Sequence, residues 1–122
     1  MTTAIEKLSK HIKIDVDSME PTVAKALPIK AWDMTSNQLL VNEQMSTPGN
    51  RDMLVRVVKD HQDEGWETIL DYVTAELAAQ VKPHIQGRVL AQTSPHNAYD
   101  ADKIAAHARS YKKAYASVGI TP

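Results

Sequence analysis

The 122-residue chain predicts an α/β fold built on a parallel sheet, and three observations carry that expectation. Short segments with apolar residues at every second position alternate with longer segments whose apolar residues step by three and four, the patterns of strands and of amphipathic helices. Helical stretches, not tight turns, separate the strand-like segments, so pairing is parallel with right-handed crossovers. Each strand-like segment also runs into a polar cluster suited to cap the next helix. The order read along the chain is β-α-β-α-α-α-β-α.

The first strand is read in "HIKIDVDS", His11 to Ser18, with Ile12, Ile14 and Val16 on one face and Lys13, Asp15 and Asp17 on the other. A short helix follows in "SMEPTVAKALP". Ser18 or Asp17 is placed to cap it, and Pro21 fits only its first turn. Ile29 to Met34 reads as the second strand, ending in "DMTSN", where Ser36 or Asn37 can cap a helix over Gln38 to Gln44. "STPGN" is a break. "RDMLVRVVKDHQDEG" then reads as a helix with Met53, Leu54, Val57 and Val58 as its stripe and His61 at the stripe's edge. A long amphipathic helix carries Trp66, Ile69, Leu70, Val73, Leu77 and Val81 and ends before Pro83. "GRVLAQT" is the third strand. Asp100 or Asp102 caps a last helix whose stripe is Ile104, Ala108, Tyr111, Tyr115 and Val118, with Gly119 at the position of a left-handed cap. Another strand is expected to begin at the final "ITP".

Composition narrows the function classes. Lys and Arg total 14 against 15 Asp and Glu, a net charge of −1 that gives no basic surplus for nucleic acid. The chain has no cysteine, which removes disulfides and thiolate metal sites. No apolar run is long enough to span a membrane, and "MTTAIEKLSKH" lacks the apolar core of a secretion signal, so a cytoplasmic, soluble protein of one domain over 1–122 is expected. His11, His61, His84, His96 and His107 form no helical metal-ligand pair, so neither a metal nor a cofactor is expected. His96 reads as a surface-loop residue.

Polar residues gather at three strand ends: Asp15 and Asp17; Asp33, Thr35, Ser36 and Asn37; Gln92, Thr93 and Ser94. Parallel α/β folds bind ligands at the C-terminal ends of their strands, where loops and helix N-termini converge. Asp, Ser, Thr and Asn are equally the usual helix caps. Asp15 lies within the strand pattern, where capping does not account for it.

At these ends the chain resembles the transaldolase family. "KIDVDSMEPTVAKALPIKAWDMTSNQLL" is similar to that family's first two strands, with Asp15 at the strand-one Asp and "DMTSN" in place of a motif close to Asp-Ala-Thr-Thr-Asn-Pro. "GRVLAQTSPHNAYDADKIAAHARSYKKAYASVGI" resembles its third strand and following helix, which often begin Gly-Arg-Val-Ser-Thr-Glu-Val. The resemblance covers about Ile12 to Ile120 and implies a partial (β/α)8 barrel of about three strands. It implies a transferase moving a dihydroxyacetone unit between sugar phosphates through a Schiff-base lysine on strand four, with carboxylates as proton carriers. On this chain Asp15 and Gln92 then hold the catalytic positions, and Thr35, Asn37 and Ser94 the substrate-binding ones. Gln92 stands where the family has Glu and cannot shuttle a proton, though it can orient a water or a hydroxyl. Gln38 replaces the family's Pro. The lysine strand would follow "GITP", so the chain is expected to lack the transfer activity by itself.

Three functions are compatible with this reading. The chain is an N-terminal part of a transaldolase-like enzyme acting on a sugar phosphate or similar polar ligand. Alternatively it is a repurposed binding module or non-Schiff-base catalyst using Asp15, Asn37 and Gln92, assembled as a homo-oligomer through open sheet edges. A regulatory partner of a full-length relative is the third. No nucleic acid or membrane partner is expected.

Overall fold

The computed structural model of the chain describes residues 1–121. Three strands, β1 (Val16–Asp17), β2 (Met34–Thr35) and β3 (Val89–Leu90), form a parallel sheet in the order β1-β2-β3. Six α-helices accompany them among the described residues: α1 (Ala4–Leu8), α2 (Pro21–Ala26), α3 (Gln38–Met45), α4 (Arg51–Asp60), α5 (Trp66–Val81) and α6 (Ala101–Ser117). The expected parallel α/β class is present, with two-residue ladders where longer strands were anticipated.

The ladder is short because it does not advance evenly. Trp32 donates its N–H to the Ile14 carbonyl at 2.7 Å, which sets Ile14 beside Ala31, and Ala31 bridges Ile85. The next common level is Val16, Met34 and Val89. Between these levels β1 advances two positions, β2 three and β3 four, so each strand carries one residue more than the strand before it. An inserted residue leaves backbone groups outside the ladder. Asp15 Oδ1 accepts the Asp33 N–H at 3.0 Å, and Asp33 Oδ1 accepts the Arg88 N–H at 2.6 Å. Each bulge is thus stitched by a carboxylate from the neighbouring strand.

One face of the sheet is covered. Val16 and Met34 join a single apolar cluster with Ala24 of α2, Val41 of α3, Val57 of α4, Tyr72, Val73, Ala75, Leu77, Ala78 and Val81 of α5 and Ala114 of α6. The residues between them in the strands, Asp15, Asp17 and Leu90, are exposed on the other face. The helix α5 is central, touching α2, α3, α4 and α6. Asp71 through Ala75 are all buried in consequence, so the apolar stripe read from the sequence is narrower than the buried surface.

Several local expectations are corrected. Residues 4–8 form α1, closed by a capping box in which Thr3 Oγ1 accepts the Glu6 N–H and Glu6 Oε2 accepts the Thr3 N–H. That turn draws His11 and Ile12 back onto Leu8, which takes them out of the first strand and leaves Ile12 52% exposed. Pro21 opens α2 as expected, but Glu20 occupies the cap position, and Ser18 Oγ accepts the Glu20 N–H instead. Trp66 stands at the first position of α5, beyond its neighbours, and is 70% exposed; Val58 and Ala108 likewise face away from the core. Asn37, Asp100 and Gly119 do what the sequence assigns them. Asn37 Oδ1 accepts the Leu40 N–H, Asp100 Oδ1 accepts the Lys103 N–H, and Gly119 has φ +79°. The strand expected at Ile120 to Pro122 reaches a residue outside the described range, and Ile120 folds back to donate its N–H to the Tyr115 carbonyl.

Candidate functional site

The carboxyl ends of β2 and β3 open into a shallow depression lined by Thr35, Ser36, Asn37, Gln38, Leu90 and Gln92, among others. The polar residues after β2 build it by reaching sideways. Ser36 Oγ donates to the Leu90 carbonyl at 2.8 Å, and Gln38 Nε2 donates to the Gln92 carbonyl at 2.7 Å. These two bonds tie the β2 end to the β3 end just where the ladder stops. On the other side, Thr35 Oγ1 donates to Asp17 Oδ1 at 2.8 Å. Gln38, the departure from the motif of the resembled family, thereby has a use that a proline could not serve: it carries the donor that fixes the third strand's exit.

Of the five residues singled out from the sequence, three come together. Thr35, Asn37 and Gln92 line the same depression. Asn37 contributes while its Oδ1 is engaged as the cap of α3. Gln92 is exposed, and its backbone carbonyl, not its amide side chain, takes the bonds from Gln38 and from Tyr111 Oη at 3.3 Å. Asp15 lies outside the depression, one bulge below it, with Oδ1 committed to the Asp33 N–H. Ser94 lies outside it as well. Its Oγ accepts the His96 N–H in a short 3₁₀ turn, and its own N–H donates to His107 Nδ1 at 3.0 Å.

That last bond belongs to a buried network that sequence reasoning missed. His107 of α6 stands 2.9 Å from Asp71 Oδ1 of α5, and Ser110 Oγ donates to Asp71 Oδ2 at 2.5 Å. Because Nδ1 accepts from Ser94, the ring proton sits on Nε2 and is donated to Asp71. Asp71 is 2% exposed, so both oxygens need these partners. The signal was present in the sequence: a lone carboxylate inside the apolar run "TILDYV", and a His and Ser three positions apart on one later helix face. The network fixes the loop that leaves β3, and so holds one wall of the depression.

Tyr111 stacks on His107 with ring centroids 4.7 Å apart. Burial, with the nearby Asp71 charge second, pushes its phenol up to about 12 against the opposing hydrogen bond with Thr74. Burial, then Tyr111 and Asp71, raises Tyr115 as well. Tyr111 therefore stays protonated as the donor to the Gln92 carbonyl.

Chemically, the depression offers hydroxyl and amide groups that can hold ligand hydroxyls. Its lining includes no lysine and no carboxylate. Among the described residues, no three His, Asp or Glu side chains gather as metal ligands would, and no helix is long and apolar enough to cross a membrane. No family model matches the chain.

Proposed function

We propose that this chain corresponds to the first three strands of a transaldolase-like (β/α)8 barrel and that its depression binds a small polyhydroxylated ligand, a sugar phosphate by the resemblance. The observation that carries the reading is the convergence of Thr35, Asn37 and Gln92 on one depression at the carboxyl ends of adjacent parallel strands. Strands in sequential order with α2 to α6 contributing to one core cluster against the sheet are compatible with a barrel segment. In this reading Gln92 presents its amide to a ligand hydroxyl, while Thr35 and Asn37 set the ligand's register against the strand ends. Asp15 acts through the sheet by holding the Asp33 N–H. With no lysine in the lining, these residues position a ligand and do not form an imine with it.

Two measurements test this. Ligand-observed NMR with a ketose phosphate is expected to give saturable binding that Gln92→Ala weakens about fivefold or more, roughly one neutral hydrogen bond, without a change in melting temperature. No saturable binding at millimolar ligand overturns the reading. Borohydride reduction with the same ketose phosphate is expected to trap no lysine adduct on residues 1–122, and a trapped adduct overturns the positioning role.

A second reading is favoured by the outer edge of β3. Val89, Ala91, Tyr111, Tyr115 and Ile120 line an apolar groove beside that edge strand, and the Tyr115 hydroxyl is buried there with no hydrogen-bond partner among the described residues. Such an edge accepts a strand from another chain, a second copy included. Light scattering that reports a monomer at every concentration up to the millimolar range rejects self-association.

A further inference from the structure

The amino ends of the strands, opposite the depression described above, gather positive charge that the sugar-phosphate reading does not use. Two depressions meet there. One, between the segment entering β1 and the segment entering β2, is lined by Lys10, His11, Lys13, Lys30, Trp32 and Gln86 among others. The second, between the end of α2 and the turn after α5, is lined by Lys25, Lys30 and His84 among others. Ile29 and Lys30 belong to both, which makes them continuous. Neither lining contains an Asp or Glu. Among the described residues, the ion pairs present involve none of Lys10, Lys13, Lys25 and Lys30. Four unneutralised lysines at one end of a chain of net charge −1 form a strongly polarised surface.

Bracing distinguishes the first depression from a fringe of solvated lysines. Lys13 Nζ lies 4.2 Å from the centroid of the Trp32 ring, a cation–π contact that orients the ammonium. Gln86 Nε2 donates to the Lys30 carbonyl at 2.7 Å and pins the backbone bearing that lysine. Lys10, His11 and Ile12 donate their N–H groups to the carbonyls of Lys7 and Leu8, so the first lysine also sits on a fixed turn. An ammonium is a compact charge with three donors, suited to phosphoryl oxygens. Several around a concave floor that holds no carboxylate favour an anion of more than one charge.

We propose that this depression, framed by Lys10, Lys13 and Lys30 with Trp32 as its wall, binds a small phosphorylated anion carrying at least two negative charges. The site is separate from the depression at the strand carboxyl ends. Compensation of the partial negative charge where α2 and α5 end would also draw lysines to this side, but that role needs no ligand and gives no saturable binding.

Pyrophosphate is the probe. A Trp66→Phe background leaves Trp32 as the remaining one of the chain's 2 tryptophans, and isothermal calorimetry provides a readout independent of fluorescence. At constant ionic strength, pyrophosphate is expected to change Trp32 emission saturably. Lys13→Gln and Lys30→Gln are each expected to weaken calorimetric binding about tenfold, the loss of one charge-assisted contact. Lys103→Gln on α6 is expected to leave it unchanged. All three lysines are exposed, and far-UV circular dichroism confirms that the variants fold. A response equal to that of sodium chloride at matched ionic strength, or saturable binding that survives both substitutions, overturns the proposal. Gln92→Ala is expected to leave pyrophosphate binding intact, so failure of this site and failure of the sugar-phosphate reading are distinguishable.

Discussion

A methyl group at position 87 would collide with the Asp33 carboxylate and stand 2.9 Å from the Trp32 carbonyl. The carboxylate is there because it holds the Arg88 N–H released by the bulge, so neither partner can retreat without giving up that bond. Gly87→Ala is therefore expected to destabilise the fold by about 2–3 kcal/mol through overpacking, read as a lower urea midpoint. The two raised tyrosines predict opposite outcomes from the same substitution. Tyr111→Phe removes a bond to the Gln92 carbonyl and is expected to cost about 1 kcal/mol. Tyr115→Phe removes a buried hydroxyl that has no partner among the described residues and is expected to be neutral or to stabilise by up to about 1 kcal/mol. A loss on Tyr115→Phe as large as that of Tyr111→Phe would show that the hydroxyl is satisfied in solution. The sequence placed Gly87 only as the first residue of the third strand-like segment. Its real constraint is a side chain 54 positions earlier, which no local pattern reports.

The starts of α3 and α6 were legible and strand lengths were not. Asn37 and Asp100 each cap the helix they precede, because a side-chain acceptor two or three residues before an unpaired N–H acts within one turn. Asn37→Ala is expected to cost about 1 kcal/mol and Asn37→Ser to recover most of it, measured by thermal melting. If Asn37 also holds a ligand, Asn37→Ser restores stability without restoring ketose-phosphate binding. The alternation in "HIKIDVDS" reads as one eight-residue strand, yet only Val16 and Asp17 enter the ladder. Alternation reports which face a residue takes, and Asp15, Val16 and Asp17 obey it. It does not report whether the neighbouring strand keeps pace, and here β2 and β3 do not. The opposite error occurs in α5. Its stripe implies one buried side, but neighbours on several sides bury Asp71 and Thr74 as well, and the Asp71–His107 pair is the result.

At the scale of the molecule, one sheet face is packed by helices and the other is open, with polar groups at the carboxyl ends and lysines at the amino ends. Stability of the packed side depends on pH through the buried phenols of α6. Tyr111 rises from an ordinary value near 10 to about 12, so the folded chain holds its proton more tightly than the unfolded chain does. That contribution is intact below about pH 10 and is lost as the pH climbs from there towards 12. Urea midpoints are expected to fall across that window, and to fall less in Tyr111→Phe; equal slopes in the two proteins would remove Tyr111 as the cause. The alternating pattern, the caps and the breaks at "STPGN" and before Pro83 were determined by the sequence alone, because each depends on contacts within a few residues. The register of β1, β2 and β3, the separation of Asp15 from Gln92, the buried Asp71 network and the gathering of Lys10, Lys13 and Lys30 were decided only by tertiary structure. Each of these joins residues from different strands and helices, and a one-residue bulge is enough to change which of them meet.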